Sequence, residues 1–376
     1  MRKSLLFLLG AAMAMPQLQA VENLGFQPAA SPADGYTVQN LAIPFTATGL
    51  NFEKDEYNSI SVPKDAAYSI GFWYKAKGVG GVFSRNHIFA IAKDEQECYT
   101  WTHMMISCNS SGEYYFNTKQ NDGGVQEAEE FTQVDAYNMG QELALGTYDM
   151  NTWHHMIISV DNANGKLAIY VNGQLDTEAT LTAPLIFSNS YLLQFGYFGN
   201  SGNVFDEIQF FNRALTAEDA AAAYVNAANV EGVASVYTLN AVAEGTTGTF
   251  HDQLIGGQGF DGVVYLKKYN YYWGVPYNYG GFNSKTEVAP TLSAGRDMTD
   301  KNAEVKVLAT ENGTLTFAPV DDATALNEGD NTIPVASSYV VTATPADGYA
   351  LVALKAKTAN GDVILTSGQQ VCVLGT

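Results

Sequence analysis

The run from Asn151 to Gly173, NTWHHMIISVDNANGKLAIYVNG, restricts the fold more than any other stretch. Two β-branched, aromatic and apolar segments, Trp153–Val160 and Leu167–Val171, flank Asp161-Asn162-Ala163-Asn164-Gly165-Lys166. That composition predicts a β-hairpin. Counted by twos, Trp153, His155, Ile157 and Ser159 share one face, and His154, Met156, Ile158 and Val160 the other. Both faces are largely apolar, so the hairpin is expected inside a two-layer sandwich and not on a sheet with one wet face. Asn172-Gly173 supplies another turn signal, and a polar strand follows from Gln174.

The same residues resemble the central hairpin of the laminin G-like domains, which belong with the pentraxins to the concanavalin A-like lectin/glucanase jelly rolls. Leu50-Asn51-Phe52, Tyr57–Pro63 and Tyr68–Lys75 resemble the opening strands of that family. Phe205–Leu215 followed by Thr216–Tyr224 resembles its closing strand and short capping helix. The resemblance spans roughly Gly35 to Ala228 and implies an all-β fold. The expected organisation is a leader over 1–20, a jelly-roll β-sandwich over 21–228, an aromatic-rich linker or insert over 229–302, and a small β module over 303–376.

The leader reading rests on Arg2 and Lys3, an apolar run from Leu5 to Met13, and a Leu18-Gln19-Ala20 end. That run is too short for a permanent membrane anchor, and no other stretch reads as transmembrane. The mature protein is therefore expected to be secreted, or at a bacterial cell surface or periplasm. With 39 acidic against 19 basic residues, the net charge is −20, which repels nucleic acid and anionic lipid and favours divalent cations. Three cysteines do not make a disulfide scaffold. Cys98 and Cys108 could pair only through a turn near Thr102-His103, because a straight strand would hold them roughly 33 Å apart. Free, buried thiols are the other reading, and Cys372 has no local partner.

Between Ala76 and Met150, strand-like runs alternate with Gly-containing polar loops, and the one clear helix is Ala217–Ala228, capped by Thr216 with Asp219 three residues on. It reads as a lid on the end of the sandwich. From Ala303 the runs EVKVLAT, GTLTFAPV, SYVVTATP, YALVALKAK and GDVILTSG predict a small β domain. Val340–Leu351 resembles the divergent repeat modules of bacterial surface proteins, and the stop soon after a strand suggests a shortened chain.

Glucanases of the family resembled carry two carboxylates on one strand, as Glu-x-Asp-x-x-Glu or a close variant, so that acid and nucleophile flank one sugar bond. No such run is present, and adjacent Asp206 and Glu207 are expected to point to opposite faces. There is no Gly-x-Ser-x-Gly elbow and no His-x-x-x-His, and His154 and His155 read as structural. These features predict a protein that is not an enzyme.

Two ligand sites are expected. In Phe205–Phe211, Asp206 shares a face with Ile208 and Phe210, where an ionised carboxylate needs a partner. Backbone N–H groups could provide it, or a structural Ca²⁺ such as related jelly rolls often hold beside the closing strand. The second site is the aromatic cluster Tyr271, Tyr272, Trp273 and Tyr277, whose rings could stack on sugars beside Asn270, Asn278 and Asn283 or else pack between domains. Tyr99 and Trp101 form a weaker platform, while Trp73 and Trp153 read as core residues. The leading reading is a non-catalytic module recognising glycans or extracellular protein. Its competitors are a structural or adhesin spacer and a glycoside hydrolase on the same fold.

Overall fold

The structure is a computed structural model. It describes residues 67–76, 85–93, 102–118, 141–181, 203–239, 249–257, 261–264, 291–297, 301–320 and 323–375. Shorter pieces at 24–27, 36–37, 41–44, 53–54, 60–61, 185, 191–195, 199–200, 271–272 and 275–276 complete it. The leader, Cys98, Tyr99, Trp101, Trp273 and Tyr277 lie outside the described residues.

The hairpin forms as expected, from His154–Asp161 and Lys166–Val171 in antiparallel register. Asn172 and Gly173 turn the chain with φ of 52° and 76°, the left-handed pair that a two-residue hairpin loop requires. Gln174–Thr180 then returns as a largely exposed edge strand. On the other side, His154–Asp161 pairs along its whole length with Ala67–Lys75, and Val204–Phe211 follows next. Leu24–Gln27 and Thr291–Ala294 continue this first sheet.

The second sheet runs Gln141–Thr147, Glu113–Thr118, Thr102–Asn109, Arg85–Lys93, Tyr191–Phe195, Leu41–Pro44, Asp261–Val264 and Thr249–His251. Its inward side chains, among them Phe89, Met104, Ile106, Tyr114 and Phe116, meet Tyr68, Ile70, Phe72, Met156, Ile158 and Val160 in one core. Phe72 is fully buried and packs on Phe89, Phe195 and Phe205 at centroid distances of 5.2, 5.6 and 6.3 Å. Asp176 sutures the two sheets at one edge by accepting hydrogen bonds from Gly146 N and the Tyr148 hydroxyl.

The outer face of the first sheet is buried too, as the apolar alternation demanded. Cross-strand partners Ser69 and Ser159 hold the backbone of Arg213 and Leu215, which leads the chain into the helix Ala217–Asn226. Thr216 and Asp219 make the expected capping box, and Asp219 also takes a bidentate pair from Arg213. The helix lies over this face and not at the sandwich end, burying Ala220 and Ala223 in a second core with Ile157 and Tyr170.

The C-terminal module, with strands from Asn302–Val307 to Gln369–Cys372, contributes Val305, Ile333, Val341, Leu354 and Leu374 to that second core. Asn360 accepts from Gly232 N and donates to Val233 O, and Asn226 donates to Leu374 O at 2.6 Å.

The segment 229–302, expected as an aromatic-rich linker or insert, contributes Val233–Tyr237, Thr249–His251, Asp261–Val264 and Thr291–Ala294 to the two sheets. These strands are too short to alternate visibly. Trp153 precedes its strand and is half-buried, with the Lys75 ammonium 5.1 Å from its ring centroid. Cys108 and Cys372 are free and buried, and burial pushes their thiols up to about 12 and about 11. No helix of the described residues is long and apolar enough to cross a membrane.

Phe72→Ala should cost about 3–5 kcal/mol, the range for emptying a buried aromatic site, whereas half-buried Trp153→Ala should cost clearly less. Urea denaturation checks this, and equal losses would contradict the assignment of the core.

Candidate functional site

The closing strand Val204–Phe211 carries the most unusual backbone of the sandwich. Phe205 pairs with Tyr74 and Asp206 with Trp73, but Gln209 already stands opposite Gly71. One extra residue is therefore inserted, and Glu207 takes a left-handed φ of 42°. This β-bulge resets the alternation. Phe205, Ile208 and Phe210 all reach the sandwich core, while Asp206 joins Trp73 and Gln209 on the outer face. The expected grouping of Asp206 with Ile208 and Phe210 is thus corrected, as is the expectation that Asp206 and Glu207 point apart.

Both carboxylates meet Arg296. Its backbone N–H donates to Asp206 Oδ2 at 2.9 Å, and its guanidinium pairs with Glu207. The guanidinium also lies 3.6 Å from the ring centroid of Trp73, which stacks on Tyr224 at 5.2 Å and 28°. His155 packs beside Trp73 at 5.0 Å, and its Nε2 donates to Gln209 Oε1 at 3.0 Å. Gly71 makes room for that amide, since a Cβ there would stand 2.7 Å from Gln209 Oε1.

The cluster is dry: Asp206 and His155 are fully buried and Arg296 is 7 % exposed. Burial, and then the charge of Glu207, push the Asp206 carboxyl well above its usual range, against the pull of Arg296. Burial lowers the His155 imidazole to about 4, despite the hydrogen bond to Gln209 that favours its protonation. Among the described residues no three His, Cys, Asp or Glu side chains group as metal ligands. Asp206 Oδ2 accepts from Arg296 N, while Asp206 Oδ1 is buried without a hydrogen-bond partner.

The second sheet offers a different surface. With Met104, Ile106, Tyr114 and Phe116 pointing inward, alternation sends Met105, Ser107, Tyr115 and Asn117 outward. Asn117 donates to Glu142 Oε2 at 2.8 Å, while Asn117 Oδ1 and Ser107 Oγ are buried with no partner. Glu142 and Ala144, on the edge strand, are exposed. Away from that exposed edge the face is buried, with Ser107, Asn117 and Met105 at 0, 4 and 9 % exposure.

A family model described as the concanavalin A-like lectin/glucanases superfamily, of laminin G type, matches residues 54–221. This segment is a concanavalin A-like lectin/glucanase domain. The heptameric SAP-like pentraxin from Limulus polyphemus is similar at 13 % identity, over 54 % of this chain and 82 % of that one, with a TM-score of 0.35. The Ruminococcus gnavus IT-sialidase CBM40 bound to α2,3-sialyllactose follows at 11 %, 42 % and 83 %, with a TM-score of 0.31. The Trypanosoma rangeli sialidase aligns at 8 % identity over 57 % of this chain and 35 % of its own, with a TM-score of 0.30. Comparison with curated proteins gives no match.

Within and beside this lectin/glucanase domain, the expected site residues are distributed unevenly. Asp206 gathers Glu207, Arg296 and Trp73 around it. Tyr271–Tyr272 form a short strand opposite Val275–Pro276, with Tyr271 facing Pro276 in register, while Trp273 and Tyr277 are outside the described residues. Arg296, Asn117 and Glu142 escaped sequence reading. Arg296 is separated from Asp206 by 90 positions and has no motif around it. Asn117 and Glu142 carry a signal only once their strands are placed side by side.

His155 should make the fold acid-sensitive. The folded imidazole takes a proton only near pH 4 and the unfolded one near 6.5, so its contribution is complete above 6.5 and is lost as pH falls toward 4. His155→Gln should flatten the stability profile over that window in urea titrations. An unchanged slope would contradict the assignment.

Proposed function

We propose that the chain is an exported, non-catalytic glycan-recognition protein. The observation that carries this reading is the engagement of Asp206 and Glu207 by Arg296 inside a lectin/glucanase domain. A glycosidase needs one carboxyl to protonate the leaving oxygen and another to attack or to activate water, both open to substrate. Asp206 is fully buried and capped, and Glu207 is tied to a guanidinium. The pair therefore serves the fold. Recognition falls to the exposed edge of the second sheet, where Glu142, held by the Asn117 amide, offers a carboxylate acceptor to sugar hydroxyls. The leader-like start at 1–20 supports export to the cell exterior, where glycan or extracellular protein would be met.

On this reading Asp206 is held by backbone and not by calcium. EDTA should leave the melting temperature unchanged. Because the Asp206 pKa is raised in the folded state, its contribution is greatest at low pH and falls as pH rises through that raised value. Asp206→Asn should remove this component. A melting temperature that drops with EDTA and recovers with Ca²⁺ would overturn the capped assignment.

A glycan array is the direct test of function. Specific binding that Asn117→Ala or Glu142→Gln weakens, with no turnover of β-glucans, is the expected result. A blank array would favour the spacer reading, and hydrolysis abolished by Glu207→Gln would establish an enzyme.

A further inference from the structure

The C-terminal module ends one of its sheets on an open strand. Gly313–Pro319 pairs with Ser338–Pro345, which pairs in turn with Gln369–Cys372, so Gly313–Pro319 is the margin of that three-stranded sheet. Next to its two ends, Val320 N donates to Ser338 O and Ala346 N donates to Asn312 O, each at 2.9 Å. Bonded pairs alternate along an antiparallel ladder, so Thr314, Thr316 and Ala318 turn their main chain toward Ser338–Pro345. The intervening Leu315 and Phe317 turn their N–H and C=O groups off the sheet. Pro319 and Pro345 agree with this phase, because each stands where the pairing of these two strands uses no N–H. We propose that this edge receives an extended segment of another protein by strand addition, and that the segment is uncharged at its centre and basic at its ends.

Open edges are normally blunted by charge, by proline or by a bulge. The sandwich follows that rule. Gln174–Thr180 carries Asp176 and Glu178 beside a register shift, and Gln141–Thr147 carries Glu142 beside another. From Asn312 to Val320, in contrast, there is no charged residue, and the register of Gly313–Pro319 is unbroken. The outward groups of Leu315 and Phe317 have no main-chain partner among the described residues. The side chains of Leu315 and Phe317 pack on the second core and hold the strand in place, while Thr314, Thr316 and Ala318 are exposed.

The charges flanking the edge select its partner. Exposed Glu311 precedes it, and Asp321-Asp322 follow it in sequence. A second copy pairing antiparallel would bring the end marked by Glu311 to the end that runs into Asp321-Asp322, between chains that each carry −20. Like charges so placed are destabilising. A segment with basic ends turns the same charges into attraction. Thr314 and Thr316, opposite Thr344 and Thr342, give β-branched neighbours to Thr or Val side chains of the incoming strand. Main-chain bonds then supply affinity, and the flanking charges supply selectivity. The edge lies outside residues 54–221, so this inference stands apart from the glycan reading.

Fluorescein-labelled peptides KTVTVTK, ETVTVTE and KTPPPTK, titrated against the full chain at low salt and followed by anisotropy, test the proposal. KTVTVTK should bind, ETVTVTE should bind about fivefold more weakly, and KTPPPTK, which lacks the central N–H donors, should not bind. Leu315→Pro deletes one outward N–H and leaves the ladder to Ser338–Pro345 intact. It should weaken KTVTVTK binding about two- to tenfold, the effect of one hydrogen bond. Thr316→Lys, an exposed substitution, should weaken it about threefold through charge and leave urea unfolding unchanged. If Leu315→Pro unfolds the module, Thr316→Lys decides alone. Equal binding of the three peptides, no binding of KTVTVTK, or binding undiminished by Thr316→Lys would overturn the proposal. So would a concentration-dependent dimer in sedimentation that Thr316→Lys dissociates, because the edge would then serve a second copy.

Discussion

Arg296 does three things at once on the outer face of the first sheet. Its backbone caps Asp206, its guanidinium neutralises Glu207, and the same guanidinium stands 3.6 Å from the Trp73 ring centroid. Moving two charges out of water costs several kcal/mol each, and only close pairing and further hydrogen bonds offset that cost. The β-bulge at Glu207 makes the pairing possible by bringing neighbouring carboxylates to one partner. Without it, strict alternation would drive one of them into the aromatic core. The strap Thr291–Ala294, the closing strand, the opening strand and the helix residue Tyr224 all meet at this point.

That arrangement commits the first sheet to structure. Ser69 and Ser159 fix the approach to the helix, the helix covers Ile157 and Tyr170, and Asn360 fastens the C-terminal module to the Gly232-Val233 backbone. A face so fully covered by its own chain is given over to packing. The second sheet instead exposes an edge at Glu142 and Ala144, beside buried oxygens of Ser107 and Asn117 that have no partner. The division follows from the sequence, since the central hairpin is apolar on both sides while Thr102–Asn109 and Glu113–Thr118 mix apolar and polar positions.

The fold was legible where local chemistry decides it. Asn172-Gly173 dictates its turn, Thr216 and Asp219 dictate a helix start, and the double-sided hairpin demands cover on both faces. The site was legible only in part. Asp206 stood out as an acid in an apolar strand, but its face could not be read, because one inserted residue reverses the alternation and leaves no mark in composition. Its partner lies 90 positions away. The segment 229–302, a linker or insert by sequence, carries strands too short to show a period, although Val233–Tyr237 is buried throughout. Long-range register settled these points, and register is a property of the assembled sheet.

The central claim is that Arg296 and Glu207 act as one buried unit that holds the outer face together. A double-mutant cycle with Arg296→Met and Glu207→Gln, read by urea denaturation at neutral pH, measures that coupling directly. The account predicts an interaction energy of about 1–3 kcal/mol, with the double mutant more stable than the sum of the single losses implies. Additive losses, with coupling below about 0.3 kcal/mol, would contradict it.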